Sequence, residues 1–544
     1  METRFDLIVI GAGINGAGIA RDAAMRGWKV LLFDKGDIGS GTSSASTRLI
    51  HGGLRYLEHG DLTLVRQSLN ERDVLLRIAP HLVRPLPFLI PIYKSSKRGR
   101  LAIRAGLTAY NLLSRKSPLP SHRMLSRQEI LARVPGLNPE GLLGGALYFD
   151  AQVEFAERLV LENVISACDY RASVRTYVRL KEFLVESNRV CGVELTDQIT
   201  GESASALAEL IVNAAGPWVD EVLSHAGMPS TPLIGGTKGS HIVVPNFEGA
   251  PSDALYVEAK QDMRPFFVIP WNHHYLIGTT DSRVAGQLDN VKANSAEVGY
   301  LLYETNRLFP KAQLERESVL FSYSGIRPLA HSGERLEGRI ARRHWIREHE
   351  RLSGLFSIVG GKLTTYRHVA EETVDLLQQR LTGKPIAVST TATTPLPGAS
   401  ALNSNDFFKN FQTDIGVPPQ VIERLLRIYG TRAAEVAKLV RRSPALINVF
   451  DPETHAIAAE VVFAFENELA RTLSDCMLRR TMVGFNSACG LNAVKAAGVV
   501  AQEYLGWSHE RANSEIVQYE QHVQGYLRSG LSRLELHQRA KSSE

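Results

Sequence analysis

Cysteine is scarce in this chain of 544 residues, and several other common signals are missing. Its four cysteines form no CxxC pair and no cluster with metal-ligand spacing, so no metal site is expected and a reducing compartment is favoured. No stretch of about 18 apolar residues occurs, which predicts no membrane-spanning helix. The short apolar run at the N-terminus is flanked by acids and interrupted by glycines, unlike a signal peptide.

The remaining composition is that of an ordinary folded protein. Hydrophobic residues make up 44% and charged residues 22%. The length exceeds what one compact core holds, so two or three domains are expected. A net charge of +5 is too mild to predict nucleic acid as a partner.

Acidic residues are absent between Val74 and Gln128, whereas Arg and Lys recur there. Apolar residues at helical spacing predict a short helix from Gly99 to Ser114, with an apolar side and cationic ends. Such a helix suits an anionic membrane surface. A helix packed on the core with a solvated basic rim explains the pattern equally well, and both interpretations stay open.

Residues from about 235 to 330 are predicted to form antiparallel sheet, because short β-rich runs alternate there with turn residues. These runs are Gly239–Pro245, Pro265–Pro270 and Tyr275–Gly278. A linker from about Ser389 to Ser404 then leads to helical patterns, for example Ala456–Arg471 and Leu491–Tyr504. We interpret this last region as a separate C-terminal helical domain.

The N-terminus carries a complete strand–helix–strand pattern for dinucleotide binding. An apolar strand leads into Gly11-Ala-Gly13-Ile-Asn-Gly16, a helix, and a second strand that ends at Asp34. Gly11 permits a tight turn, Gly13 lets the backbone approach a pyrophosphate, and Gly16 lets helix and strand pack closely. The helix N-terminus favours phosphate, and Asp34 accepts hydrogen bonds from ribose hydroxyls. The pattern predicts a dinucleotide but does not choose between NAD and FAD.

Two further elements point to a flavin. Residues Phe356–Arg367 run from a strand through Gly360-Gly361-Lys362 towards a helix, whose N-terminus suits the flavin pyrimidine. Ile211–Trp218 has the form of the strand that closes over the dinucleotide in two-domain flavoproteins. Specific motifs accompany them in order: SSASTRLIHGGLRYLE, NAAGPWV, KGSHIVVP, IPW, IGTTD, SYSGIRPL and GGKLTTYR. With these motifs the chain resembles, over nearly its full length, the aerobic FAD-dependent sn-glycerol-3-phosphate dehydrogenases of bacteria.

The resemblance implies an α/β architecture. A glutathione-reductase-like FAD domain carries an inserted mixed β-sheet that forms the substrate cap, and a C-terminal helical domain follows. The expected boundaries are 1–73, 145–234 and 350–388 for the FAD domain, 74–144 and 235–349 for the cap with its basic membrane-facing segment, and 389–544 for the C-terminal domain.

The resemblance also implies an activity. The enzyme is expected to oxidise sn-glycerol 3-phosphate to dihydroxyacetone phosphate, with hydride passing to non-covalent FAD and electrons to a membrane quinone. It is expected to be cytoplasmic, attached peripherally to the anionic surface of the inner membrane, and homodimeric.

Residue roles carry over from the family motifs. The substrate-binding residues implied are Arg55, Tyr56, His241, Arg327, Arg342 and Lys362, of which Arg55, His241, Arg327 and Lys362 are also catalytic. The FAD-binding residues implied are Gly11, Gly13, Asn15, Gly16, Asp34, Thr42, Ser43, Ser46, Leu49, Gly216, Gly361, Leu363 and Thr364.

Chemistry supports these roles but leaves alternatives. Arg suits a phosphate dianion because its planar fork meets the oxygens in pairs. Arg327 lies in an apolar run, where an unpaired charge is costly. Arg342 matches the family less closely, so Arg343 is a possible substitute. His241 titrates near neutrality and is the first candidate for the base, whereas a depressed pKa would give that role to Lys362.

Two other functions fit parts of the sequence. A glycerol-3-phosphate oxidase would pass electrons to oxygen, but it has no need of the basic block that favours a membrane enzyme. A flavin-containing RNA- or membrane-binding protein without turnover also explains that block, but leaves Arg327 and Lys362 unexplained.

Overall fold

The computed structural model of the chain describes residues 3–58, 60–114, 117–227, 232–284, 286–289, 291–331, 343–381, 386–400, 411 and 417–529. The strands, in chain order, are β1 Thr3–Ile10, β2 Val30–Phe33, β3 Leu49–Ile50, β4 Val83–Tyr93, β5 Arg123–Ser126, β6 Leu142–Val153, β7 Ser173–Arg175, β8 Val178–Glu186, β9 Arg189–Asp197, β10 Ser203–Asn213, β11 Thr237–Val244, β12 Ala254–Glu258, β13 Pro265–Trp271, β14 His274–Gly278, β15 Ser282–Arg283, β16 Phe321–Arg327, β17 Trp345–Glu348, β18 Leu355–Val359, β19 Val449–Asp451 and β20 Ala456–Ile457.

The α-helices, in chain order, are α1 Ile14–Met25, α2 Arg55–Glu58, α3 Leu62–Ile78, α4 Arg100–Leu113, α5 Arg127–Arg133, α6 Ala156–Asp169, α7 Val219–Ser224, α8 Ser295–Leu308, α9 Tyr366–Gln378, α10 Pro419–Tyr429, α11 Ala433–Arg442, α12 Ala458–Asn467, α13 Leu473–Asp475, α14 Val494–Leu505 and α15 His509–His522.

The first sheet holds the dinucleotide motif at its centre. Its strands follow the order β17-β18-β10-β1-β2-β7, and β8 and β9 join it through β10. Strands β18, β10, β1 and β2 pair in parallel. Leu7, Ile8 and Val9 are fully buried, which explains the continuous apolar run of β1. Parallel pairing brings the carboxyl ends of these strands, and the loops that follow them, to one edge.

The second sheet is the predicted mixed sheet of the cap. Its order is β15-β11-β14-β13-β12-β4-β6-β3, with β16 on β11 and β5 on β6, and only the β12–β4 pair is parallel among the strands that the structure describes. The three β-rich runs predicted in residues 235–330 are β11, β13 and β14. The same region also contains α8, which the sequence reading missed although Asn294 and Glu297 form a capping box at its start.

The C-terminal region is helical, as predicted, but its apolar core is continuous with that of the cap. Tyr429 and Met477 belong to the same buried cluster as Phe88 of β4. Phe485 meets Trp271 of β13 with ring centroids 5.5 Å apart. The C-terminal helices therefore complete the core beneath the cap sheet.

Buried ion pairs also hold the C-terminal region in place. Arg480 donates to both carboxylate oxygens of Asp37, in the loop after β2, at 2.7 and 2.8 Å. Arg158 of α6 donates to Glu468 at 2.6 and 2.9 Å. All four side chains are fully buried. Removing one partner of such a pair typically costs about 3–5 kcal/mol, so these contacts fix the loop strongly.

The predicted basic, amphipathic helix is α4, with Gly99 and Ser114 as its caps. Only Leu107 and Tyr110 are buried within it, whereas Leu101 and Leu112 are 82% and 55% exposed. Its apolar side is thus only partly covered. Among the described residues, none of the helices combines the length and apolar character needed to cross a bilayer.

Candidate active site

A cleft of about 510 Å³ opens at the carboxyl edge of the first sheet. The predicted cofactor residues that line it are Gly11, Gly13, Asn15, Asp34, Thr42, Ser43, Ser46, Gly216, Gly361 and Leu363. Gly16, Leu49 and Thr364 are not among the residues that line it. The cleft therefore brings the N-terminal motif and the distant Gly360-Gly361-Lys362 loop to one place.

Glycine is required at each of the three motif positions for a different physical reason. A Cβ on Gly11 would lie 2.8 Å from the carbonyl oxygen of Ala214, and one on Gly16 would lie 1.8 Å from that of Gly11. The fold itself thus requires both glycines. Gly13 has an ordinary φ of −72°, and the nearest atom to its Cβ would be Ser43 Oγ at 3.6 Å. The fold itself tolerates a side chain at Gly13. The missing side chain therefore leaves room for the ligand that enters the cleft.

Two polar side chains of the cleft are held ready for a ligand. Asp34 accepts hydrogen bonds from the backbone N–H groups of Ala12 and Gly36 at 2.7 and 2.8 Å, one to each oxygen. Each oxygen retains a lone pair for a ribose hydroxyl. Desolvation nevertheless raises the pKa of Asp34 above its ordinary value. Asn15 Oδ1 is buried and accepts no hydrogen bond from the described residues. These acceptors fit the hydroxyl and N–H groups of a dinucleotide such as FAD.

Segment 42–51 joins the cleft to the cap. Thr42 Oγ1 donates to the carbonyl of Ile326 at 2.7 Å, and the Tyr323 hydroxyl donates to the carbonyl of Ser46 at 3.0 Å. A Cβ on Gly325 would lie 2.8 Å from Ala45, so β16 packs directly on the segment. The end of β16 is therefore positioned by the same loop that lines the cleft.

Arg327, at the end of β16, is ion-paired. Its Nη1 donates to Asp281 at 2.9 Å, and its Nη2 donates to Thr279 Oγ1 at 3.1 Å. Asp281 also pairs with Arg264, so this cluster keeps a net positive charge. Gly239 makes the arrangement possible, because a Cβ there would lie 2.3 Å from Arg327 Nη2. The acid at the end of IGTTD thus orients the predicted substrate arginine.

His241 of β11 is buried, with only 2% exposed. Its Nε2 and Thr47 Oγ1 are 2.9 Å apart, and its ring stacks on Tyr323 with centroids 5.0 Å apart. Nδ1 is buried with no hydrogen-bond partner among the described residues. Burial, with the positive charges of Arg327 and Arg48, lowers the pKa of His241 to about 3. The expectation that His241 titrates near neutrality is wrong for this environment, since the imidazole stays neutral.

Lys362 follows the paired glycines and is held as a cation. Its Nζ lies 3.7 Å from the centroid of the Tyr56 ring and donates to Ser68 Oγ at 3.3 Å. Cation–π contact and hydrogen bonding both favour the charged ammonium of Lys362.

Arg343, the alternative to Arg342, donates to Asp61 at 2.7 and 3.1 Å, and the pair lowers the pKa of Asp61.

The predicted site residues are not all placed. The side chain of Arg55 and the whole of Arg342 lie outside the described residues. Tyr56 meets Lys362, as above. His241 and Arg327 share the cap sheet beside segment 42–51, and Thr364 Oγ1 accepts the backbone N–H of His51 at 3.1 Å, which ties the same segment to the glycine loop.

Sequence reasoning missed several residues of the site. Arg48 is fully buried, donates to both oxygens of Glu157 at 2.7 Å, and lies 4.6 Å from the centroid of Trp271. Asp281 and Trp218 are the others, and the latter lines the cleft and donates to Asp289 at 2.8 Å. All three lie within quoted motifs, and for Asp281 the acid closing IGTTD was the available signal.

Comparisons with known proteins place the chain among flavoproteins. A family described as FAD dependent oxidoreductase matches residues 6–367, and one described as the C-terminal domain of alpha-glycerophosphate oxidase matches residues 389–512. A glycerol-3-phosphate dehydrogenase of Synechocystis is 45% identical over 541 residues, which cover 96% of this chain and 97% of the relative. An aerobic glycerol-3-phosphate dehydrogenase of Staphylococcus epidermidis is 32% identical, with 88% and 87% covered.

Solved structures agree with these relatives. The glycerol-3-phosphate dehydrogenase of Bacillus halodurans, complexed with FAD, has a TM-score of 0.79 at 28% identity, with 96% of this chain and 95% of that one covered. The L-alpha-glycerophosphate oxidase of Mycoplasma pneumoniae, with FAD bound, has a TM-score of 0.56 at 18% identity over 73% of this chain and 100% of that one, a likeness of fold.

Proposed function

This chain belongs to the family of FAD-dependent glycerol-3-phosphate dehydrogenases, and we propose that it oxidises the C2 alcohol of sn-glycerol 3-phosphate to dihydroxyacetone phosphate. One observation carries the proposal. Arg327, His241 and Lys362 are all tied, directly or through a neighbour, to the segment 42–51 beside the FAD cleft. Two cations and a neutral imidazole are what a phosphorylated alcohol needs for binding and deprotonation.

FAD would be held by the two glycine elements and by Asp34. When bound, it supplies the acceptor for the hydride that leaves C2 of the substrate. The residues of the chain then have separate tasks: to bind the phosphate, to place C2 and to take the hydroxyl proton.

The phosphate is assigned to the cationic group around Arg327. Asp281 holds its guanidinium from one side, and the positive charge and planar shape of the fork suit a phosphate dianion. Lys362 adds a second cation near the substrate, supported by Tyr56 and Ser68. Arg55 and Arg342 complete the proposed set.

The proton acceptor is assigned to His241. If its Nε2 donates to Thr47, its Nδ1 carries the lone pair and is ready to accept a proton. Burial, and after it the positive charges of Arg327 and Arg48, lowers the pKa of His241 to about 3, which makes it a weak base in the protein alone. A phosphate dianion beside Arg327 would offset the second of these causes. Lys362 is the alternative base, but its contacts favour the charged form, which suits it to stabilising the alkoxide.

We place the enzyme on the cytoplasmic face of an anionic membrane as a homodimer, with quinone as the electron acceptor. Exposed Leu101 and Leu112 on α4, with exposed Arg100 and Arg104, support this surface. Arg98 contributes less charge than expected because it pairs with Glu258.

An oxidase that passes electrons to oxygen is the second candidate. The match of residues 389–512 to a domain described from alpha-glycerophosphate oxidase supports it. Stoichiometric peroxide with no quinone reduction would favour the oxidase, whereas quinone reduction without oxygen would favour the dehydrogenase.

The activity itself is tested by anaerobic addition of sn-glycerol 3-phosphate to the holoenzyme. Bleaching of the oxidised-flavin band near ~450 nm is expected. The enantiomeric sn-glycerol 1-phosphate is the control. An unbleached flavin with both compounds would contradict the proposed function.

A further inference from the structure

Glu297, in the first turn of α8, is a buried carboxylate to which the proposed mechanism gives no role. Its Oε2 accepts the backbone N–H of Asn294 at 2.9 Å and so completes the capping box at the start of the helix. Oε1 takes no part in this capping box. The contacts of Oε1 therefore call for a separate explanation.

Oε1 of Glu297 contacts the turn that joins β14 to β15. It accepts a hydrogen bond from Thr280 Oγ1 at 3.0 Å, and Thr280 Oγ1 itself accepts the backbone N–H of Ser240 at 2.9 Å. The Thr280 N–H donates to the Ser240 carbonyl at 3.2 Å. Thr280 is buried, so water competes little for these bonds. Strand β11 and helix α8 therefore hold Thr280 between them.

The same turn holds the guanidinium of Arg327. Arg327 Nη2 donates to the Thr280 carbonyl at 3.2 Å and to Thr279 Oγ1 at 3.1 Å. Arg327 Nη1 donates to Asp281 at 2.9 Å. Three consecutive residues thus fix the orientation of the arginine, and the middle one is the residue that Glu297 holds.

Lys238 balances the negative charge of Glu297. Its Nζ donates to Oε2 at 2.6 Å, and both side chains are largely buried. Lys238 lies in β11, three residues before His241. The ion pair and the capping box both use Oε2, whereas Oε1 accepts from the hydroxyls of Thr280 and, at 3.4 Å, Ser282. One oxygen therefore anchors α8 to β11, and the other is directed at the turn.

We propose that Glu297 is a positioning residue for the oxidation of sn-glycerol 3-phosphate, and that it acts through Thr280 to orient Arg327 towards the substrate phosphate. The inference rests on the proposed function and gives α8 a part in it. Orientation matters because a planar guanidinium meets phosphate oxygens in pairs. A binding group of this kind has to be held to within about 10–20° of its productive geometry by the residues that surround it.

The test breaks the connection from both sides. Glu297→Ala removes the carboxylate. Thr280→Val removes the hydroxyl that Glu297 accepts but leaves the ion pair with Lys238 in place, so no buried charge loses its partner. Thr280→Ser keeps the hydroxyl and should keep the wild-type kcat/KM.

Glu129→Ala is the matched control for Glu297→Ala. Glu129 completes the same kind of capping box with Ser126 at the start of α5, and α5 packs on β5 and β6. The control therefore removes a capping glutamate from another helix beside the same sheet. It should keep the wild-type kcat/KM.

Each substitution is made in the wild-type enzyme and in Arg327→Ala, and kcat/KM is measured by anaerobic flavin reduction with sn-glycerol 3-phosphate. With Arg327 present, Glu297→Ala and Thr280→Val should each lower kcat/KM by about 3- to 100-fold, the range of coupling found within one hydrogen-bond network. In Arg327→Ala the same substitutions should change kcat/KM by less than about twofold, because the group that they orient is missing. A general loss of structure would instead lower kcat/KM by the same factor in both backgrounds.

The outcomes separate this inference from the proposed function. If the substrate does not reduce wild-type flavin, the proposed function fails and the inference fails with it. If wild-type flavin is reduced, equal losses in the two backgrounds, or losses no larger than that of Glu129→Ala, would show that Glu297 does not act through Arg327. A Thr280→Ser enzyme as slow as Thr280→Val would also overturn the inference, because the hydroxyl would then not be the connecting group. If Glu297→Ala does not fold, the folded Thr280 variants decide the question.

Discussion

Replacing Arg327 with alanine probes the proposed phosphate site with little confounding change in stability. Its side chain is 18% exposed and donates to Asp281, Thr237, Thr279 and the carbonyl of Thr280. Asp281 keeps Arg264 as a partner after the substitution, so no buried charge is left alone.

The substitution is therefore expected to lower kcat/KM rather than the stability of the fold. A hydrogen bond to a charged group contributes about 1.5–3 kcal/mol, and two such bonds to a phosphate or alkoxide correspond to about 3–6 kcal/mol. At about 1.4 kcal/mol per tenfold, kcat/KM should fall about 10²- to 10⁴-fold. Arg327→Lys keeps the charge but loses the planar fork, and should fall between wild type and alanine.

Stopped-flow measurement of anaerobic flavin reduction gives kcat/KM without the second electron acceptor. Arg264→Ala is the matched control, because it removes the same charge from the same carboxylate without touching the proposed phosphate position. If Arg327→Ala reduces its flavin at the wild-type kcat/KM, Arg327 does not bind the substrate. Equal losses in both arginine variants would mean that only the local charge matters.

Three further predictions follow from single features. Gly13→Ala should leave the apoprotein folded but weaken FAD binding by about tenfold or more, as measured by titration. Gly16→Ala should fail to fold, because its Cβ would lie 1.8 Å from a carbonyl oxygen. An unchanged FAD affinity in folded Gly13→Ala would contradict the role given to Gly13. His241 takes up a proton in the unfolded chain as pH falls through about 6.5 but stays neutral in the folded chain until about pH 3, so the free energy of unfolding should fall by about 2 kcal/mol between pH 7 and pH 5. In denaturant unfolding, His241→Gln should flatten this dependence of stability on pH. An unchanged pH dependence would show that His241 is not responsible. Replacing Arg100 and Arg104 with Glu should reduce sedimentation with anionic vesicles by more than about tenfold, at about 1 kcal/mol per basic residue, and retained binding would move the membrane contact away from α4.

The sequence predicted most where local rules act alone. The strand, glycines, helix and acid of the N-terminal motif follow from packing and backbone geometry, and they lie as expected. The α4 helix was predicted to within one residue at each end for the same reason. Its exposure was not predicted, because hydrophobic periodicity does not say whether a neighbour covers the apolar side.

The chemistry of the site was predicted less well, because it depends on distant neighbours. The sequence shows that Arg327 lies in an apolar run, but not that Asp281, 46 residues earlier, neutralises part of its charge. His241 was expected to titrate near neutrality, since neither its burial nor the nearby Arg48 and Arg327 are visible in the sequence. Asp281 ends a motif that was quoted only as a family signature.

The buried pair of Asp37 and Arg480 can form only late in the synthesis of the chain. The two residues are 443 positions apart in the chain. At about 5–20 residues per second, the ribosome produces the arginine roughly 20–90 s after the aspartate. During that interval the nascent β1–α1–β2 unit can form, but the loop that borders its cofactor cleft still lacks the partner that fixes it. Stable capture of FAD is therefore expected only near the end of translation, and a chain cut short before residue 480 should leave the ribosome without its cofactor.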